Sequence, residues 1–340
     1  MGSRAEKTDQ TAGVPGGRWL RAAAGLVCGA VFVILFLQSV NMSTVLARMA
    51  DIVWLPVIVG LVAFILDFVL RSVRFWMLLD GREHKLPIRP MIAPFIASFG
   101  ISDILPLRLG DVFRVYWFNR KFRLPVSKVL AAMILERTFD LVSIVFLAAL
   151  TLLIVQRSID GQILFVLQMA LAATALGGIT VILSPHILNS LAKAMASWRG
   201  DIWNKVAEFL LSLSNAISGF GSMPRIMGHF IFSLLIWILE SVVVLGAWIG
   251  LAGAANELAK PFFAFTISTI GTLVPALPGH FGSYEYFGIL AFDAIQVERS
   301  LAAAVILIAH LVLWLPTAIF GICWLVWTGQ TDALRLNKKP

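Results

Sequence analysis

Between Thr272 and Glu285, two prolines, two glycines, a histidine and a carboxylate stand together, with apolar runs on either side. Pro278, Gly279, His280, Gly282 and Glu285 suit two kinds of chemistry. Helix N-termini exposed at a break hold anions such as phosphate through backbone N–H groups and the helix dipole. A carboxylate and a histidine in a wet cavity can instead do acid–base work. A second polar set occupies 103–114, with Asp103, Arg108, Asp111 and Arg114. Its arginines suit charge-assisted contacts to phosphate. A third set is Glu136, Arg137 and Asp140. Glu136 and Asp140 lie one turn apart on one helix face, and Arg137 can reach Asp140 at i+3. That set reads either as a buried Arg137–Asp140 pair holding the fold or as part of a lipid or ion pathway. Glu240 stands near the middle of an apolar run, where an ionisable group is costly and points to function. Asp67, Arg71 and Arg74 share one helix face, either as a snorkelling interfacial ladder or as a headgroup contact.

The elements that carry these residues follow from composition. The chain has 340 residues and is 59% hydrophobic, with a mean hydropathy of +0.89. No soluble globular domain has that composition. Apolar runs long enough to cross a bilayer recur along the chain, which predicts an all-α polytopic membrane protein. The net charge of +8 then reads as topology-setting charge facing anionic headgroups, with no nucleic acid partner. Cys28 and Cys323 lie in the first and last apolar runs and read as packing residues. No Cys/His metal spacing and no nucleotide-binding motif stands out, so no cofactor is expected.

Six full spans are expected, at about 19–38, 52–70, 129–155, 162–184, 226–251 and 300–327. The first is longer than a signal h-region and reads as a retained anchor. The apolar stretch before Ser102 is too short for a crossing of about 20 residues, and basic loops flank it on both sides. The charge rule therefore makes 91–114 a re-entrant hairpin from the cytoplasm and 261–295 one from outside. The 41–51, 156–161, 253–260 and 296–299 loops, with one Lys or Arg each, fall outside. Residues 1–18 read as a disordered cytoplasmic tail, 19–330 as one integral membrane domain and 331–340 as a second cytoplasmic tail. The 186–225 stretch is amphipathic and reads as one or two helices lying on the cytoplasmic surface.

Leu105-Pro106-Leu107-Arg108-Leu109-Gly110-Asp111 echoes Leu277-Pro278-Gly279-His280-Phe281-Gly282-Ser283. Leu, Pro and Gly coincide, and Arg108 matches His280. With opposite entry sides, this predicts an inverted repeat whose broken helices meet near the midplane, a recurrent transporter design.

The three motifs together resemble the lysylphosphatidylglycerol synthase transmembrane-domain family, also called flippase-like or UPF0104. They are Leu105-Pro-x-Arg108-x-Gly110-Asp111-x-x-Arg114, Glu136-Arg137-x-x-Asp140, and Leu277-Pro278-Gly279-x-x-Gly282-x-x-Glu285. The resemblance covers nearly the whole chain after residue 18. In the multiple peptide resistance factor a domain of this kind precedes a soluble aminoacyl-transferase domain and moves aminoacylated lipid between leaflets. Stand-alone members are associated with other lipids, including hopanoid and glycolipid pathways. The chain stops at residue 340 without a synthase domain, so aminoacylation is not expected of it. His280 departs from the pattern, where a small or apolar residue is expected, and adds a titratable group.

The resemblance implies a lipid transporter in a bacterial cytoplasmic membrane, with both termini inside, and no enzyme. Its substrate is a polar-headed phospho-, aminoacyl-, glyco- or hopanoid-type lipid. In this reading Arg108, Arg114 and Arg137 neutralise phosphate, while Asp103, Asp111, Asp140, Glu240 and Glu285 pair with those bases or contact a cationic head. Two other classes stand beside it: a membrane-embedded lipid phosphatase or glycosyl transferase, and a non-transporting partner of a lipid-synthesis enzyme docked through 186–225.

Overall fold

The computed structural model describes residues 16–83, 85–105, 108–182, 184–198, 201–219, 222–274 and 277–329. Apart from residues 16–18, the two expected tails lie outside them, as do Pro106 and Pro275 of the two breaks. The described residues are helical, with no strand among them. In chain order the helices are α1 (Gly16–Ser39), α2 (Met42–Ala50), α3 (Trp54–Leu78), α4 (Arg89–Ile104), α5 (Leu109–Phe122), α6 (Val126–Val155) and α7 (Gly161–Ile182). There follow α8 (Ser184–Ala196), α9 (Asp201–Ser218), α10 (Met223–Ala252), α11 (Ala259–Gly271), α12 (Ser283–Ala294) and α13 (Arg299–Thr328).

Helices α3, α6, α10 and α13 are long and apolar enough to cross a bilayer. A bent pair within α1 and α2, turned by 79°, has the composition of a fifth span. The protein is thus a multi-pass membrane protein. Helix α3 illustrates how the sequence arranges this. Val57, Gly60, Phe64, Asp67, Phe68, Arg71, Arg74 and Leu78 are buried, and their spacing traces one face of a 3.6-residue helix. Leu55, Ile58, Val59, Val62, Ile65 and Leu66 cover the outer face. Hydrocarbon tolerates the apolar face, so the charges turn inward.

Small residues let the spans approach. Gly60, Gly246 and Gly250 lie where α3 crosses α10: a Cβ on Gly246 would sit 2.3 Å from the Pro56 carbonyl oxygen. The Val53 N–H donates to the Gly250 carbonyl at 2.9 Å in the same crossing. Helix α4 crosses α13 at Gly100 and Gly321, with the Gly100 Cβ position 1.9 Å from the Thr317 carbonyl oxygen. Such close backbone contact suits membrane helices, which gain little from burying apolar surface against one another.

The two breaks are tighter than the sequence implies. Helix α4 continues through Ser102 and Asp103 to Ile104, and α5 restarts at Leu109. The second break lies between Gly271 and Ser283 and contains a short 3-10 turn, Pro278–His280. Helix α4 packs on α5, α11 packs on α12, and the Pro278–His280 turn touches α4. Pro185 follows the end of α7 at Ile182. It lies in the first turn of α8, where a missing backbone donor costs nothing. The amphipathic segment forms two helices, α8 and α9, packed on each other, with α9 also against α6. Trp198 and Trp203 meet edge to face at their junction, ring centroids 4.6 Å apart.

On the opposite side of the chain's pairing scheme, α2 is fastened to the start of α13. The Arg48 Nε–H donates to Ser300 Oγ at 2.6 Å, and its guanidinium pairs with Glu298 at 2.5 Å.

Gly100→Ala should force α4 away from α13, because the clash is with backbone that cannot rotate aside. The expected result is a fall of several degrees in the detergent melting temperature, in line with an overpacking cost of about 1–3 kcal/mol. Gly228→Ala, with open space around its Cβ position, should leave melting unchanged.

Candidate functional site

Buried charges fall into three groups. The largest joins α3, α6 and α10. Arg71 Nε–H donates to Asp67 at 2.8 Å, and its other guanidinium nitrogens pair with Glu240 and, at 3.6 Å, with Asp140. Arg74 donates to Asp140 at 2.7 Å and to Ser233 Oγ at 2.6 Å. The Trp237 indole N–H also donates to Asp140, at 3.1 Å, and the Arg71 guanidinium lies 4.7 Å from the Trp237 ring centroid. Asp67, Arg71 and Arg74 therefore form neither a surface ladder nor an open headgroup contact. They are buried and tied to Asp140 and Glu240 from two other helices.

The second group is a single pair. Arg114 donates to Glu136 at 2.9 Å and to Ser98 Oγ at 2.9 Å, and both charged side chains are fully buried. The rings of Phe95 and Phe99, each 4.5 Å from the guanidinium carbon, and of Phe75 at 5.2 Å, enclose the arginine. Desolvated cation–π contact of this kind adds to the ion pair. Arg114 is thus spent on Glu136 and faces no open space. Arg137 does not take Asp140, which already has both α3 arginines. It turns to Asp111 on α5 at 3.4 Å, with the pair part-exposed.

The third group fixes the second break. Glu285 accepts from the Gly282 N–H at 2.8 Å, so its side chain reaches back to cap the first turn of α12. Its other oxygen meets His310 Nδ1 at 2.5 Å, and His310 Nε2 lies 2.8 Å from the Gly279 carbonyl oxygen. The imidazole lies beside Phe281 and Tyr284, with centroids 4.6 and 4.7 Å away. Gly279 at φ 70°, His280 at φ 61° and Gly282 at φ 91° give this turn its shape. A Cβ on Gly282 would lie 2.9 Å from the Gly29 carbonyl oxygen of α1. Glu285 thus acts here through the backbone and His310, and Pro278 begins the turn they hold.

The two broken segments meet. The Trp314 indole N–H donates to the Asp103 carbonyl at 3.2 Å, and the Asp103 carboxylate accepts from Thr317 at 2.8 Å. The Cβ position of Gly279 is 3.1 Å from that same Asp103 carbonyl oxygen. Around this junction lies a cavity of about 160 Å³, lined by Asp103, Glu240, His280, Tyr284, His310 and Trp314 among others. Glu240, Gly279 and His280 of the expected site are on its wall. Arg108 is exposed beside it, at φ 52° as the residue that starts α5, and the charges of Asp103, Asp111 and Arg137 act on it. Arg108 and His280, matched in the sequence echo, are thus both non-glycine residues in the left-handed region. Among the described residues no three His, Cys, Asp or Glu side chains converge as a metal set.

Reading motifs alone missed His310, Trp314, Thr317 and Trp237. His310 had a signal, since an ionisable residue inside the last apolar run is costly unless paired. The others are ordinary residues of a span and become polar partners only through packing.

Arg114→Met should lower stability by about 3–5 kcal/mol, because Glu136 is left charged and buried without a partner. Adding Glu136→Leu should restore most of the loss, since an apolar pair of similar volume removes the orphan. Melting temperatures of the single and double variants in one detergent check both statements.

A sequence profile described as the lysylphosphatidylglycerol synthase TM region matches residues 22–321. The chain is 24% identical over 225 residues to a UPF0104 membrane protein of Methanocaldococcus jannaschii, covering 65% of this chain and 91% of that one. It is 21% identical over 338 residues to a protein named Glycosyltransferase AglD of Haloferax volcanii, covering 90% of this chain but only 54% of that relative. The chain thus spans about half the length of the haloarchaeal protein. With its helical multi-pass fold and a profile match over most of its length, the chain belongs to the lysylphosphatidylglycerol synthase transmembrane-region family.

Proposed function

We propose that the protein moves a polar-headed lipid between the leaflets of a bacterial cytoplasmic membrane and does no covalent chemistry on it. The observation that carries this reading is the meeting of the two broken segments around a cavity that Asp103, Glu240, His280 and His310 help to line, inside a membrane domain. Irregular backbone at membrane depth is tolerated where it is buried in protein or lines a cavity, and paired broken helices at such a site are a transporter feature. Asp103, in the last turn of α4, and Gly279, in the second break, both line the cavity.

In this reading 91–114 and 261–295 are re-entrant hairpins of opposite orientation, within six full spans, and both termini are cytoplasmic. The matched left-handed residues Arg108 and His280 support an inverted repeat. The headgroup enters between the hairpins while its tail stays in lipid. Arg108 and Arg137, part-exposed at the junction, receive an anionic group. Arg114, Glu136 and Asp140 serve the site by holding α3, α5 and α6 in place. The α8–α9 pair is the surface for a lipid-synthesis enzyme, the partner that would supply the substrate.

The name of the haloarchaeal relative keeps one other reading in view. A glycosyl-transfer role would place the chemistry at the same cavity, with His280 or Glu240 as base. Its longer chain equally allows the sugar chemistry to sit in the half that this chain does not match.

Proteoliposomes carrying fluorescent lipid in both leaflets, bleached from outside, test the proposal. Wild-type protein should expose inner-leaflet lipid to the bleach. Arg108→Ala should slow this about tenfold or more, as loss of a charge-assisted contact implies, and His280→Ala, which removes a neutral polar group from the cavity wall, should slow it less, with melting temperatures near wild type. Mass spectrometry of the recovered lipid reads the alternative. Chemical conversion without leaflet exchange, or unchanged exchange in both variants, would sink the transport reading.

A further inference from the structure

The hydrogen bonds that fix the second break need one more proton than a neutral histidine and an ionised glutamate carry between them. Three contacts run in series. The Gly282 N–H donates to one oxygen of Glu285 at 2.8 Å. The other oxygen lies 2.5 Å from His310 Nδ1. His310 Nε2 lies 2.8 Å from the Gly279 carbonyl oxygen. A carbonyl has lone pairs and no hydrogen, so Nε2 carries the proton of that last bond. A neutral imidazole protonated on Nε2 has a bare lone pair on Nδ1, and an ionised carboxylate is likewise an acceptor only. Left so, two lone pairs would face each other at hydrogen-bond distance. The contact closes only with a further proton between them, held on Nδ1 as imidazolium or on the Glu285 carboxyl.

The surroundings leave no other donor. The His310 and Glu285 side chains are 6% and 4% exposed, and their contact is too short to admit a water. Phe281 and Tyr284 flank the ring. The opposite tautomer, with its proton on Nδ1, would satisfy Glu285 but set the Nε2 lone pair against the Gly279 carbonyl, two buried acceptors without a donor. The titratable groups facing the pair are His280 in the turn, Tyr284 of α12, Asp103 of α4 and Glu240 of α10, all on the cavity wall that His310 and Gly279 share. Helix α11 brings Thr269 to that wall, and α1 meets the break with Gly29, Phe32 and Val33, none of them charged. The Asp103 carboxylate favours a proton nearby, while Glu240 is already held by Arg71 and Arg108, exposed beside the cavity, opposes it.

We propose that Glu285 and His310 together form a proton-binding site that fastens the turn of the second break. Loss of the proton sets the two lone pairs in opposition, so His310 must part from Glu285 or from Gly279. Gly279 and His280 line the cavity, so the shape of its wall follows the state of the pair. This makes the proton the coupling ligand for lipid movement. The coupling rests on the transport reading, whereas the proton site itself does not.

Glu285→Gln is the variant that separates the cases. Its amide N–H can donate to Nδ1 while its carbonyl oxygen accepts from Gly282, so all three bonds survive without the extra proton. An unfolded chain releases that proton above about pH 6.5, the ordinary value of histidine, so the wild-type folding equilibrium should weaken by up to about tenfold per pH unit from about pH 7 to about pH 9. Glu285→Gln should lack this loss, and the gap between the two melting temperatures in one detergent should shift in its favour as pH rises. Nitrogen NMR of histidine-labelled protein, with the signal assigned by its absence from His310→Gln, reads the ring directly. An imidazolium, or an Nε2–H ring beside a protonated carboxyl in the infrared difference against Glu285→Gln, supports the site. A ring protonated on Nδ1 alone, an Nε2–H ring beside an ionised Glu285, or a melting gap that does not change with pH overturns it. In the bleaching assay, exchange by wild type should vary with pH and exchange by Glu285→Gln should not; equal profiles overturn the coupling. A proton held in protein that moves no lipid leaves this site standing and fails the transport proposal. Lipid movement by protein that holds no such proton does the reverse.

Discussion

The cost of bare charge in hydrocarbon governs this structure. Each ionisable group within a span costs roughly 2.5–3.5 kcal/mol on insertion scales, and the cost is met by pairing across helices. Arg71 and Arg74 join α3 to α6 and α10 through Asp140 and Glu240. Arg114 joins α5 to α6 through Glu136. Elsewhere, at the α3–α10 and α4–α13 crossings, small residues provide the close approach, since no strong apolar drive exists between helices in lipid. The ion pairs thus select which helix faces which, and the glycine crossings set how closely.

The general design was legible in the sequence because membrane physics allows few alternatives. Apolar run lengths gave the long helices, and the Pro-Gly stretches gave the breaks at 105–108 and 272–282. Family membership followed from three short motifs in order. Partner choice was not legible. Arg137 and Asp140, three residues apart, looked like a pair, but Asp140 is nearer in space to arginines from α3 that are far away in sequence. Likewise Asp67, Arg71 and Arg74 shared a face in the sequence, but only the crossing of α3 with α10 decides that the face points inward. Local spacing reports which residues can meet on one helix and says nothing about competitors on another.

The candidate site shows the same division. His280 and Glu240 were visible as isolated polar residues in apolar surroundings. The junction that makes them neighbours depends on Trp314 and Thr317, whose types carry no signal in a span. Glu285 was visible too, but its work is structural: it caps α12 and holds His310, which in turn meets the Gly279 carbonyl. A carboxylate in a membrane motif can therefore serve to shape a loop while its neighbours face the cavity.

His280 occupies a left-handed backbone conformation that costs an ordinary residue roughly 1–2 kcal/mol and costs glycine almost nothing. A glycine at this position would relax the turn and take from the cavity wall one of its two imidazoles, leaving that of His310. At residue 280, therefore, a calmer backbone and a better-furnished interior ask for different amino acids, and the chain carries the one that keeps the ring.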